Sequence, residues 1–239
     1  MTSPFPETAD IHSSTDEYAD RFAGAAGQWM LDVQERELRR ALAGLEPGEA
    51  LDVGGGHGQT EPVLRSLGFK TTVTGSDESC QHRLAEDTPF LVADHLHLPY
   101  EDQSVQVAVC FRLLTHCERW PELIAELCRV SEKRVILDYP ARASVNVVAE
   151  KLFTLKKKYE KNTRTYTLFS HKEVREAFAA HGFLVRRRYP QFFWPMVLHR
   201  MLKRPGVSRF LEGAARGLGL TFLLGSPVIL EVERDPTLT

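Results

Sequence analysis

The 239-residue chain lacks the cysteine patterns that would announce a metal or redox centre. Its four cysteines, Cys80, Cys110, Cys117 and Cys128, form no CxxC pair and no disulfide framework. They read as reduced packing residues of a cytoplasmic protein. The opening MTSPFPETAD has neither a basic nor an apolar leader segment, so no signal peptide is expected. Long apolar runs are missing too. The longest near the C-terminus, GLGLTFLLGSPVIL at 217–230, has 14 residues broken by glycine and proline and is too short to span a bilayer. Repeats, low-complexity tracts and an inter-domain linker are also absent. With 43% hydrophobic and 26% charged residues the composition is that of an ordinary globular protein. A chain of this length buries about 70–75% of its unfolded surface, so it needs no covalent staple.

A large excess of one charge sign is absent as well, the net being −2, but the two halves differ. Residues 145–239 carry 17 Lys+Arg against 8 Asp+Glu, a net of +9, while residues 1–144 carry 13 against 24, a net of −11. The basic half is either a solvated face or a surface for an anionic partner.

What the chain does have is alternation. Residues 1–16 are polar and proline-bearing and are expected to be loosely ordered. Apolar residues then recur at helical spacing from Asp16 to Leu45, which predicts an N-terminal helical cap over 1–44. Strands are predicted near 49–53, 70–74, 89–93, 104–111, 134–139, 183–189 and 227–233. Helices are predicted near 59–67, 79–86, 119–130, 145–159 and 171–181. Short joints between such elements indicate an α/β fold with a parallel sheet covered on both faces. The rhythm breaks at 141–170 and 190–225, which read as insertions into a domain spanning 45–239.

The most informative stretch is LDVGGGHGQT at 51–60, a strand ending in Asp52 that runs into Gly54, Gly55, Gly56 and Gly58. Glycines directly after a strand permit unusual dihedrals and close approach of a ligand to the carboxyl edge of a sheet. Gln59 stands where a dinucleotide fingerprint needs its third glycine, and no Gly-Lys-Ser/Thr follows, so neither nicotinamide nor Walker-type binding fits. A nucleoside without a pyrophosphate fits better. Asp77, ending the second strand in TGSD, can accept hydrogen bonds from ribose hydroxyls, and Asp94, after the third strand, can accept one from an exocyclic amine. Singly, each acid is more often a helix cap or a solvated loop residue; three of them at successive strand ends behind a glycine loop point to a site.

LDVGGGHG, TGSD, VADHLHLPYEDQSVQVAVCFRLLTHC and ELIAELCRVSEKRVILDYP together resemble class I S-adenosylmethionine-dependent methyltransferases of the small-molecule, type 11-like group. The resemblance covers about residues 45–140 and implies a Rossmann-like, doubly wound, mostly parallel seven-stranded sheet. Its last strand would be antiparallel, and helical insertions would lie over the acceptor site. S-adenosyl-L-methionine is the implied cofactor. Asp52, Gly54 and Gly56 would face its methionyl end, Asp77 its ribose, Asp94 and the backbone of His95 its adenine. Phe111 and Arg112 would flank the methionine portion, and Tyr18 with Arg21 would close over the carboxylate. Gln106 stands where the family usually carries an acid.

Methyl transfer from a sulfonium is an in-line displacement with a neutral leaving group, so positioning carries most of the catalysis. A base is needed only for an acceptor that must lose a proton. His116 in LLTHC and Tyr139 in LDYP are the candidates, each with a packing role as the alternative. Arg164 and Tyr166, in the insertion after the fifth strand, are candidates for acceptor contact. His95 and His97 lack a third ligand at useful spacing, so no metal is expected, and His57 reads as a spectator. The run KKKYEKNTRTY at 156–166 is taken as a solvated helix face, with no nucleic acid expected. PQFFWPMVLHRML at 190–202, preceded by Arg186, Arg187 and Arg188, suits either packing on the sheet, an apolar anionic acceptor, or shallow contact with an anionic membrane. A catalytically idle S-adenosylmethionine-binding scaffold is the alternative function.

Overall fold

The structure, a computed structural model, describes residues 4–145 and 166–237. Strands β1 (Glu49–Val53), β2 (Lys70–Gly75), β3 (Phe90–Val92), β4 (Val105–Cys110), β5 (Ser131–Tyr139), β6 (Phe183–Phe192) and β7 (Ser226–Arg234) form one sheet in the order β3-β2-β1-β4-β5-β7-β6. The first five pair in parallel, whereas β7 runs antiparallel to both β5 and β6. Every strand expected from the sequence is present, and so is the antiparallel last strand.

The central strands are apolar on both sides because both faces are covered. In β4, Ala108 and Cys110 point into one hydrophobic layer, Val107 and Val109 into the other. Among the helices, α1 (Ala9–Ser13) and α2 (Asp16–Ala19) lead into α3 (Gly24–Leu42), and α4 (Glu61–Ser66) follows β1. The layer containing Val107 is closed by Leu38, Ala41 and Leu42 of α3 with Val63 and Leu64 of α4. The opposite layer is closed by α5 (Trp120–Val130) through Leu123, Ile124 and Leu127, and by α6 (His171–Ala179) through Val174 and Phe178. The segment 79–86, expected to be helical, is a 3₁₀ turn at Glu78–Arg83. The helix expected near 145–159 lies almost entirely outside the described residues. After β6 come α7 (Met196–Leu202), α8 (Pro205–Gly217) and α9 (Leu220–Leu224), packed against α3 and β6.

Strand order reverses between β1 and β4, which places a crevice at their carboxyl ends. Residues 4–16, expected to be loose, are folded across that edge. The correction has a physical cause: Asp10 of α1 is fully buried and accepts hydrogen bonds from the Ser76 amide at 2.7 Å and the Ser76 hydroxyl at 2.5 Å. A satisfied buried carboxylate anchors a segment whose own sequence has little apolar content.

Candidate active site

The glycine loop is shaped by steric necessity. Gly54 and Gly58 adopt left-handed dihedrals, with φ of +70° and +67°. A Cβ on Gly55 would lie 2.2 Å from the carboxyl carbon of Asp52, and one on Gly56 would lie 2.3 Å from the Ser14 hydroxyl and 2.4 Å from the Cys80 carbonyl. The loop therefore wraps the Asp52 carboxyl group closely. Asp52 is fully buried, and its Oδ2 accepts a hydrogen bond from the Thr60 hydroxyl. Its Oδ1 has no partner among the described residues. Burial raises this carboxyl to about 7, against the lowering effect of Thr60 and with a further rise from the neighbouring Glu61. His57 is also buried, its Nδ1 accepting from the Gln59 amide at 3.1 Å, and burial together with the charge of Arg112 takes it down to about 3.

At the next strand tips, Asp77 accepts from the Ser79 amide at 2.9 Å and so caps the 3₁₀ turn that follows β2; that bond lowers its pKa. Asp94 accepts from the Leu96 amide at 2.9 Å and lies 3.3 Å from Nδ1 of the exposed His97. The His95 imidazole turns inward, its Nε2 standing 3.2 Å from Oδ2 of Asp10. Cys80 Sγ lies 3.2 Å from the same oxygen. Burial would raise the Asp10 carboxyl, but the His95 imidazole beside it and the two Ser76 bonds outweigh it and bring it to about 2.

Arg112 gathers the N-terminal candidates around it. It leaves β4 with a left-handed φ of +63°, and its amide donates to Oδ1 of Asp138 at 2.6 Å. Its guanidinium donates to the Tyr18 hydroxyl at 3.2 Å and to Gln34 Oε1, and sits 4.4 Å from the centre of the Phe22 ring. Arg21 in turn lies 4.8 Å over the Tyr18 ring. The Arg112 side chain forms no salt bridge among the described residues, and its buried Nε has no hydrogen-bond partner there. Phe111, by contrast, is fully enclosed in the hydrophobic layer that contains Val109.

The candidates on the acceptor side form two separate groups. Where the described chain resumes after β5, Thr167 and Thr115 of the turn after β4 exchange bonds of 2.8 and 2.9 Å, which brings the half-exposed ring of Tyr166 to 5.8 Å from that of His116. Tyr139 is buried, and its hydroxyl pairs with Nδ1 of His171 at 2.7 Å. Burial pushes the Tyr139 phenol well up and His171 down, so the phenol keeps its proton and the neutral imidazole is favoured. Arg164 lies outside the described residues. Asp10, Gln34 and His171 escaped the sequence reading; each is polar in a polar neighbourhood, and its partner is remote in the chain.

The methyltransferase domain family matches residues 27–187. No curated protein matches the chain significantly. Among solved structures, magnesium protoporphyrin IX methyltransferase from Synechocystis, with bound SAH, superposes with a TM-score of 0.63 at 16% identity, covering 95% of this chain and 98% of that one. Geranyl diphosphate C-methyltransferase from Streptomyces coelicolor, in complex with Mg2+, geranyl diphosphate and S-adenosyl-L-homocysteine, gives 0.58 at 13% identity over 85% and 77%. A putative sarcosine dimethylglycine methyltransferase from Galdieria sulphuraria gives 0.57 at 15% over 84% and 85%. At these identities the superpositions speak for the fold alone. The family match spans about two thirds of the sequence and centres on the glycine loop and strands β1 to β5, and by it the chain belongs to the methyltransferase domain family.

Proposed function

We propose that the protein transfers a methyl group from S-adenosyl-L-methionine to a small-molecule acceptor. The observation that carries this is a complementary pair of unmet polar atoms at the two strands flanking the crevice: the acceptor Oδ1 of Asp52 near the end of β1 and the donor Nε of Arg112 just past β4. A buried polar atom without a partner is costly, so two of opposite character on charged side chains at a ligand crevice suit a ligand carrying both an ammonium and a carboxylate. The amino-acid end of the cofactor is such a group. When bound, the cofactor supplies an electrophilic methyl on a sulfonium.

The chain's own residues would then divide the work. Arg112, steadied by Tyr18, Gln34 and Phe22, holds an anion, and Asp52 beneath the glycine backbone holds a cation. Asp77 keeps Oδ2 outside its turn bond, which leaves an acceptor for ribose, whereas Asp94 uses Oδ1 for the Leu96 amide and Oδ2 for the exposed His97, an imidazole that an adenine amine would have to displace. His116, partly buried beside the half-exposed Tyr166, is the base for an acceptor that must lose a proton. Tyr139, held protonated, is suited to donating or positioning rather than to proton abstraction. For the acceptor we infer an apolar anion, because the half-buried Phe193 and Trp194, in edge-to-face contact, lie just beyond β6, the strand that carries Arg186, Arg187 and Arg188.

Calorimetry with S-adenosylmethionine, S-adenosylhomocysteine and NAD tests the cofactor. Binding of the first two without the third is expected, and the reverse preference would refute it. An acceptor screen of apolar acids against small neutral polar compounds, followed by mass shift of the product, tests the transfer.

A further inference from the structure

The helices after β6 are built inside out. They bury the polar His199, Ser208, Glu212 and Thr221 at 0, 0, 6 and 1% exposure, and leave Met201, Phe210, Leu218, Phe222 and Leu223 exposed at 62–76%. Among the described residues, no other large apolar side chain is more than half exposed. Glu212 is what holds the inversion in place, since Ser208 Oγ, Thr221 Oγ1 and His199 Nδ1 are buried without a hydrogen-bond partner among the described residues. Glu212 accepts from the Phe193 and Trp194 amides at 2.9 Å each and faces His199 Nε2 at 2.9 Å. Along α8, Val207, Phe210, Ala214 and Leu218 succeed one another at three- and four-residue steps, away from the buried Ser208, Glu212 and Ala215. In water such a face is unfavourable, and a contiguous apolar patch with a polar rim marks a contact surface.

The rim is cationic. Residues 196–225 contain Arg200, Lys203, Arg204, Arg209 and Arg216 against a single acid, the buried Glu212. Beside this face a cavity of about 500 Å³ is lined by Arg40, Arg186, Arg187, Arg188, Arg216 and Phe222, together with neighbouring backbone and side chains. It shares no residue with the glycine loop or the strand tips. Glu37 neutralises Arg40 at 2.8 Å and Glu233 neutralises Arg186 at 2.6 Å. Arg187, Arg188 and Arg216 form no salt bridge among the described residues. Arg188 lies 5.5 Å over the Phe222 ring, so the cationic cavity and the apolar face meet at that residue.

We propose that α7–α9 form a docking surface for an anionic lipid bilayer. The exposed apolar side chains enter the interface, and Arg188 and Arg216 receive lipid phosphate. A symmetric second copy would bring the same five cations against themselves, whereas an anionic bilayer complements them. No helix among the described residues is long and apolar enough to cross a membrane, so the contact is peripheral. The face coincides only in part with the 190–202 segment singled out in the sequence: Phe192 is 1% exposed and packs into the cluster with Trp29, whereas the exposed apolar residues run from Met201 to Leu223.

The test is co-sedimentation of the full chain with vesicles of phosphatidylcholine alone or mixed with phosphatidylglycerol, at low and raised salt. Binding to the mixed vesicles only, weakened by salt, is expected. Phe210→Asp combined with Phe222→Asp should lower the partition coefficient at least about tenfold. Arg216→Glu should lower it about fivefold or more, the worth of one basic residue at such a surface. Unchanged S-adenosylmethionine binding in these variants, or unchanged melting should that ligand not bind, certifies the fold. Equal binding to neutral vesicles, or none to either kind, overturns the proposal. So does a dimer in light scattering that Phe210→Asp splits into monomers, which would make the face a self-association surface. Protection by inorganic phosphate without any vesicle binding would reduce it to a soluble anion site and overturn it equally.

Discussion

The carboxylate of Asp10 stands 3.2 Å from Nε2 of His95, a pair fully buried between the first helix and the loop after β3. With the Ser76 bonds it ties the N-terminal segment across the carboxyl edge of β1, β2 and β3, over the glycine loop where the cofactor is expected. A Cβ on Gly54 would come within 3.5 Å of the Asp10 side chain. Helix α1 is therefore a structural member of this edge, and its attachment runs through polar contacts of Asp10.

The attachment should show in acid. Asp10 is depressed to about 2 in the folded state from an ordinary 3.8, so the unfolded chain takes up its proton first as pH falls. The stability it contributes is fully present above about pH 4 and is lost as pH falls toward 2, a total on the order of 2 kcal/mol. Asp10→Asn should lower stability near neutrality by a comparable amount and flatten the acid limb of the curve. Urea titrations between pH 2.5 and 7 provide the measurement; parallel acid limbs in both proteins would show that Asp10 is not bonded as described.

Much of this site was legible beforehand, for reasons that differ by residue. The seven strands and the glycine loop follow from local rules: apolar runs of strand length, and glycines at positions where Gly54 and Gly58 must turn left-handed. Asp77 and Asp94 stood out because a strand tip is a fixed place in an open sheet. Asp10 did not stand out, since its partner Ser76 is 66 residues away and nothing near Asp10 signals burial. The inverted face of α8 was equally hidden, because its apolar spacing alone reads as an inward stripe. Only burial of Ser208 and Glu212 reveals which side looks outward.

Asp77 offers a way to separate capping from ligand binding. It caps the 3₁₀ turn through the Ser79 amide, so Asp77→Ala should cost about 1 kcal/mol of stability in addition to cofactor affinity. Asparagine is an equally good cap but carries no charge. Asp77→Asn should keep the melting temperature while weakening S-adenosylmethionine binding by about 1.5–3 kcal/mol, the scale for bonds to a charged acceptor. Calorimetry alongside thermal melts reads both; unchanged affinity in Asp77→Asn would leave the residue a cap only.

Arg112→Gln removes the half-buried cation while leaving the loop's Asp138 bond, which comes from the backbone amide. Loss of affinity for S-adenosylmethionine by about 1.5–3 kcal/mol is expected. Affinity for 5′-methylthioadenosine, which lacks the amino-acid portion, should hardly change. Equal losses for the two ligands would move Arg112 away from the carboxylate.

His116→Ala and Tyr139→Phe should part company in kinetics. If His116 is the base, its alanine variant loses about 10²-fold or more in kcat with cofactor affinity intact. Tyr139→Phe forfeits its bond to His171 and should cost about 1 kcal/mol of stability, with a smaller fall in kcat. A full-rate His116→Ala enzyme on an acceptor with an ionisable proton would return that residue to packing against Tyr166.

Asp52 makes the most distinctive prediction, because its carboxyl is raised to about 7 by burial beneath the glycine loop. A raised carboxyl is a cost to the free protein. The folded chain holds a proton that the unfolded chain has already released, so this contribution to stability declines as pH rises from about 4 to 7. A cationic group brought to Oδ1 reverses the balance by favouring the ionised form. Binding of S-adenosylmethionine should therefore expel a proton from Asp52 at pH 6, and affinity should rise by up to about tenfold per pH unit below 7, then level off. Calorimetry at pH 6 in two buffers of different ionisation enthalpy counts the proton directly. Asp52→Asn should abolish the release and flatten the affinity profile, while the Thr60 hydroxyl retains an amide oxygen as acceptor. A wild-type protein that binds the cofactor with no proton exchange at pH 6 would show that Asp52 is already ionised, or that the ammonium lies elsewhere.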